Sequence, residues 1–153
     1  MSYSNARNPV NQYNKIGVQS KVEEASPHRL IQLLFEGALE KIALAKGNIQ
    51  QGNTPEKAAL ISWAIAIIQG LQSSLDMNVG GEIAENLEAL YEYMQKQLLK
   101  ANLHNDVSLL DEVTKLLTTI KEGWDAIPEE YRNPSLQNQQ SEAAVNHTSD
   151  ETK

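Results

Sequence analysis

From Ala58 to Leu75 the chain carries no charged side chain, and that narrows the folds open to it. A helix at the surface of a globular protein buries one apolar stripe and turns a charged face to water. This segment has a stripe, Leu60, Ala64, Ile67, Ile68, Leu71 and Leu75, but no charged face opposite. Ile61, Ile65 and Trp63 flank the stripe on either side instead. A membrane span needs roughly 20 predominantly apolar residues. Ser62, Gln69, Gly70, Gln72, Ser73 and Ser74 dilute the run too far for that. The expectation is a helix covered on several sides by protein, with no insertion into a membrane.

Punctuation along the chain supplies its neighbours. Ser26-Pro27 and Thr54-Pro55 each offer an N-cap oxygen followed by a proline at the first helical position, where the missing N–H costs nothing. Gly52 stops the first helix, Asp106 caps the last, and Pro128 ends it. Helices near 27–51, 55–76, 82–101 and 106–127 result, each about 30–37 Å long at 1.5 Å per residue. Similar lengths and short connections predict an all-α fold, an antiparallel four-helix bundle over residues 26–132. Residues 1–25 are polar but hold Val10, Tyr13 and Ile16, enough for a partly ordered cap. Residues 133–153 are too polar to bury much and read as a disordered tail.

The apolar patterns of these helices are unequal. The third has one stripe, Ile83, Ala84, Leu87, Leu90, Tyr91, Met94, Leu98 and Ala101, with its charges elsewhere. The fourth repeats the pattern from Leu109 to Ile127. The first has a main stripe of Ile31, Leu34, Phe35, Ala38, Ile42, Ala45 and Ile49, with Leu30, Leu33 and Leu44 to one side and Leu39 to the other. A surplus therefore sits on the first two helices. Either it is a wide internal face, or something else covers it: the N-terminal segment, a second copy, or another protein's helix laid in a groove.

Enzyme readings fail on their chemistry. The pair Gly80-Gly81 ahead of a helix has the outline of a phosphate cradle. No Lys-Ser/Thr follows it, however, and Glu82 and Glu85 would repel phosphate. Glu82 suits the positive end of a helix, so the glycines read as the turn that reverses the chain. His28, His104 and His147 all lack the glutamate three residues earlier that a bundle di-metal site uses. No cysteine is present. No metal, cofactor or catalytic constellation is expected. A formal net charge of -7, from 13 Lys+Arg against 20 Asp+Glu, argues against nucleic acid, whose binding rests on cations. The opening "MSYSNARNPVNQYN" lacks the apolar core of a secretory signal, so a cytoplasmic location is expected.

Four stretches, in order and at their observed separations, resemble one family. They are "ASPHRLIQLLFEG" at 25–37, "SLDMNVGGEIAENLEALYEYM" at 74–94, "LLKANLHND" at 98–106, and "LLDEVTKLL" followed by Trp124. From about Val10 to Ile127 the chain is similar to the flagellar secretion chaperone FliS family, chaperones of flagellin.

The resemblance implies a four-helix bundle that binds the C-terminal segment of unassembled flagellin. That segment becomes helical on the chaperone's apolar surface and is kept from premature polymerisation. The loaded complex is passed to the flagellar type III export apparatus, whose gate recognises it through a cytoplasmic domain. The family's N-terminal segment, here Val10, Tyr13 and Ile16, lies over the bundle and takes part in switching between free and loaded states. Ser26, Pro27, Gly80, Gly81 and Glu82 fall in the family motifs with mainly structural parts. The expected flagellin-binding surface is the apolar surplus: Leu30, Leu33, Leu44, Ile61, Trp63 and Ile65. Trp63 departs from the family, where a basic residue is common. An alternative of another class is a dimeric structural bundle or export adaptor without flagellin specificity.

The polar tail generates a first test. Deleting Pro134–Lys153 is expected to leave the melting temperature and partner binding unchanged, since the segment has no periodic apolar face. A drop of several degrees would show that the tail packs on the fold.

Overall fold

Capping chemistry sets the helix boundaries. The computed structural model describes residues 25–132, so Val10, Tyr13, Ile16 and the tail from 133 lie outside the described residues. Its helices are α1 (Pro27–Gln51), α2 (Thr54–Ser73), α3 (Met77–His104) and α4 (Val107–Asp125), followed by a 3-10 turn at Glu129–Tyr131. Ser26 Oγ accepts a hydrogen bond from the Arg29 N–H at 3.2 Å, just ahead of Pro27. At the far end of α1, Gly52 has φ 75°. There the Asn53 N–H reaches the Asn48 carbonyl at 2.9 Å and the Gly52 N–H reaches Ile49 at 3.2 Å, satisfying two orphan carbonyls.

Thr54 does not cap α2 as its sequence suggests. The N-cap is Asn53, which makes no side-chain cap bond. Its amide nitrogen lies 3.3 Å from both Asn48 Oδ1 and Gln51 Oε1, so it is engaged by the end of α1.

The glycine pair also differs from expectation. Asp76 Oδ1 accepts from the N–H groups of Asn78 (3.0 Å) and Val79 (3.2 Å), so α3 begins at Met77 and the chain reverses over Ser74–Asp76. Gly81 then breaks the helical backbone at φ 53°, ψ -132°. L-residues avoid that region, and glycine does not. A Cβ on Gly80 would sit 2.5 Å from the Ala84 Cβ, so the kink excludes any side chain there. Glu82 opens the segment beyond the kink. Asp106 caps α4 as expected, accepting from the Ser108 N–H at 2.9 Å.

Residues 31–126 form one compact unit, and the described residues up to Leu30 and from Ile127 belong to a second. In the second, Arg132 Nε donates to the Ile127 carbonyl at 2.8 Å. The first is an antiparallel four-helix bundle. Its core is Phe35, Ala38, Ile42 and Ala45 of α1; Ile61, Ala64, Ile68 and Leu71 of α2; Tyr91, Met94, Leu98 and Ala101 of α3; and Leu110, Val113 and Leu117 of α4. Alternating steps of three and four residues keep each set on one helix face.

Polar contacts tie neighbouring helices in register. Lys46 pairs with Asp111 at 2.8 Å, and Gln32 Nε2 donates to Asp125 Oδ1 at 2.7 Å, linking α1 and α4 in opposite directions. The Tyr93 hydroxyl and Gln97 of α3 reach Glu112 of α4, and Gln95 reaches Gln72 of α2 at 2.8 Å.

Two core assignments are corrected. Ile61 is not on the flank of α2 but fully buried at 0 % exposure. The inner face runs Lys57, Ile61, Ala64, Ile68 and Leu71, while Leu60 and Ile67 are half-buried. Lys57 explains the shift. Its ammonium donates to the Asn102 carbonyl at 2.8 Å and to Asn105 Oδ1 at 2.7 Å. A charged residue thus lies on the inner face, where a pattern of apolar residues alone does not put it. Ile83 was expected in the α3 stripe and is 73 % exposed. Gln72 in the last turn of α2 already faces Gln95, so the first turns of α3 run past the end of α2.

Ile61→Ala is therefore expected to lower the unfolding free energy by about 2–5 kcal/mol, and Ile61→Glu to abolish cooperative folding. Thermal or urea denaturation measures both. A folded Ile61→Glu variant of near wild-type stability would contradict this core.

Candidate functional site: an apolar groove between α1 and α2

Where α1 and α2 run side by side, contacts pair off in opposite order along the two helices. A methyl built on Gly70 would meet Leu34 Cδ1 at 4.0 Å, and one on Gly37 would meet Ile67 Cδ1 at 3.4 Å. One turn further, the Lys41 ammonium lies 4.0 Å from the centroid of the Trp63 ring. The two glycines bring no side chain into this seam, so the Leu34 and Ile67 side chains fill it.

Above the seam lies a strip that the core does not use. Trp63 is 54 % exposed and Leu44 46 %. Leu33 is half-buried, one helical turn before Gly37 and clear of the core cluster. Leu44 lies one turn beyond Lys41 on the same side of α1. Leu33, Leu44 and Trp63 thus share one face with the half-buried Ile67. A cation–π contact such as Lys41–Trp63 contributes about 0.5–1 kcal/mol at an exposed site and more when desolvated.

The other expected residues are placed differently. Ile61 is in the core, below the groove. Ile65 is half-buried and packs on the core from the far flank of α2. That flank also carries Gln72, seven residues on, which faces α3. Leu30 is half-buried in the first turn of α1, in the second unit. Of the six, Leu33, Leu44 and Trp63 lie along the side where α1 and α2 meet, outside the core.

Apolar surface elsewhere escaped the sequence reading. Leu99 is exposed and Leu103 is 76 % exposed, one turn apart on α3. The available signal was their four-residue spacing off the main stripe, beside Lys96 and Lys100. Met77 and Val79 are also exposed, in the capped turn ahead of the Gly81 kink.

The strip offers exposed apolar side chains and one cation. Three groups with displaced titration lie elsewhere. Burial pushes the core phenol of Tyr91 up to about 12. The hydrogen bond to Glu112 raises Tyr93 on the α3–α4 seam. The hydrogen bond from Ser108 holds Asp106 below its usual carboxylate value at the α4 cap. Among the described residues no three of His, Asp and Glu converge as metal ligands. No helix there is long and apolar enough to cross a membrane.

Comparison with known proteins adds an independent finding. The family described as "Flagellar protein FliS" matches residues 9–131. The "Flagellar secretion chaperone FliSB" of Pseudomonas aeruginosa is 50 % identical over 122 residues, 80 % of this chain and 97 % of that protein. The "Flagellar secretion chaperone FliS" of Vibrio cholerae is 42 % identical over 127 residues, 83 % of this chain and 93 % of its own length. That of Salmonella typhimurium is 44 % identical over 119 residues, 77 % and 88 % of the two chains.

If the strip is surface and not core, its residues are dispensable for folding. Trp63→Ala is expected to change the unfolding free energy by about 1 kcal/mol or less, although its helix neighbour Ile61 is indispensable. A loss as large as that of Ile61→Ala would place Trp63 in the core.

Proposed function

The chain belongs to the FliS family of flagellar secretion chaperones, and on that premise we propose that its α1–α2 groove binds the C-terminal segment of unassembled flagellin. Members of this family are chaperones, not enzymes, so the chemistry to be explained is recognition. The observation that carries the reading is the exposed pair Trp63 and Leu44, on adjacent antiparallel helices with Leu33 and Ile67 on the same face. An aggregation-prone segment is held soluble by surface that hides its apolar face, and two parallel ridges with a seam between them accept one amphipathic helix.

In this reading the flagellin segment gains helix as it docks. Coupled folding of that kind typically buries about 1,000–3,000 Å² and gives a negative ΔCp. Covered in this way, flagellin cannot polymerise in the cytoplasm. The cytoplasmic domain of the export gate then recognises the loaded chaperone, and the complex enters the type III export apparatus. In the same proposal Val10, Tyr13 and Ile16 take part in the switch between the free and loaded states.

The test is a titration of the full chain and of Leu44→Glu with full-length flagellin and with flagellin lacking its C-terminal segment. A 1:1 complex is expected with the first and none with the second. Leu44→Glu is expected to lose at least tenfold in affinity while its melting temperature stays within a degree or two, because a charge buried unpaired in an interface is costly. Equal binding of truncated flagellin would overturn the reading. Light scattering showing a dimer that takes up no flagellin would favour self-association instead.

A further inference from the structure

Within the groove the side chain that stands out is Lys41. It is a cation in a strip otherwise made of Leu33, Gly37, Leu44, Trp63, Ile67 and Gly70. We infer that Lys41 reads charge in the partner: the helix that fills the groove carries an aspartate or glutamate whose carboxylate lands on the Lys41 ammonium. The inference rests on the proposed flagellin-binding groove and specifies what the bound segment must present to it.

The geometry that leads there is local. The Lys41 side chain is only 16 % exposed, and its ammonium is held 4.0 Å above the Trp63 ring. An ammonium has three N–H donors. A ring face attracts the cation but satisfies none of those donors as an oxygen would. The carboxylate nearest to it is Glu40 Oε1 at 3.8 Å, beyond hydrogen-bond distance, on a side chain that is 66 % exposed. In the open groove, water serves the donors. A helix laid over Leu44 and Trp63 removes that water.

A cation stripped of water and left with only the long Glu40 contact disfavours the complex, whereas a hydrogen-bonded carboxylate from the partner offsets that cost. The consequence is selectivity. An apolar helix with no acid at this point would be penalised, and a helix with one would be fixed in register by it. Glu40 beside Lys41 and Glu56, exposed in the first turn of α2, make the surroundings acidic. They discourage an indiscriminately acidic partner and favour a single carboxylate aimed at Lys41. Trp63 positions the ammonium; Lys41 makes the contact.

Calorimetric titration of the flagellin C-terminal segment into the full chain tests this, at low and at moderate salt. Wild type is expected to weaken as salt rises. Lys41→Met is expected to bind at least tenfold more weakly at low salt, with little remaining salt dependence and a melting temperature within a few degrees of wild type. Lys41→Glu is expected to bind more weakly still. Its affinity should return when one acidic residue of the segment is changed to lysine, each acidic position being tried in turn. Lys41→Met binding as well as or better than wild type would overturn the inference. So would a failure of every charge reversal to rescue Lys41→Glu. Both results leave the groove standing if Leu44→Glu still abolishes binding. A wild-type chain that binds no flagellin removes the proposed function and this inference together.

Discussion

The rotation of α2 about its own axis decides which of its apolar residues are core and which are surface, and Lys57 holds that rotation. Its ammonium reaches the Asn102 carbonyl and Asn105 Oδ1 at the end of α3. Asn105 is in the left-handed conformation, φ 50°, which asparagine tolerates better than most residues. The carbonyl end of a helix is its negative pole, so a buried cation there is paired both by hydrogen bonds and by the dipole. Lys57 points inward with Ile61, Ala64, Ile68 and Leu71, and those four follow into the core. A rotation of one residue would bury Trp63 or expose Ile61. An ammonium left in the interior without acceptors would oppose it.

From that orientation the outer surface follows. With the inner arc of α2 committed to the core, Ile65 and Gln72 face α3, while Trp63, Ile67 and Gly70 face α1. On α1, Gly37 and Lys41 meet them, and Leu33 and Leu44 are left above the seam. The groove is thus the remainder of two helices with more apolar residues than one core can take. Its asymmetry is chemical as well as geometric: hydrophobic along its length, cationic at Lys41, and flanked by carboxylates. The exposed pair Leu99 and Leu103 lies on another face, on α3 in line with Gln95, which reaches Gln72 of α2.

Much of this was legible in the sequence, for identifiable reasons. Helices α1, α3 and α4 carry charges opposite their stripes, so a wheel orients them. Ser26, Gly52 and Asp106 cap or stop helices as their chemistry dictates. From Ala58 on, α2 carries no charge, so a wheel had nothing to orient it by, and the misplacement of Ile61 followed. The polar residue that points inward on α2, Lys57, sits just before the charge-free stretch. Gly80 and Gly81 signalled special backbone correctly. Whether such a pair makes a turn or a kink depends on which residue caps the helix, and Asp76 does so upstream. Of the six residues expected in the site, Leu33, Leu44 and Trp63 share a face. Ile61 and Ile65 do not, because a flank defined by sequence does not say which neighbouring helix it meets.

The proposed function puts partner recognition on the α1–α2 face and not on the other exposed apolar surfaces. Methyl and indole NMR of the full chain, recorded before and after addition of the flagellin C-terminal segment, tests it most directly. The expected result is large shifts at Leu33, Leu44 and Ile67 methyls and at the Trp63 indole, with Leu99 and Leu103 unmoved. Shifts concentrated at Leu99, Leu103 and Ile83, with Trp63 unchanged, would contradict it.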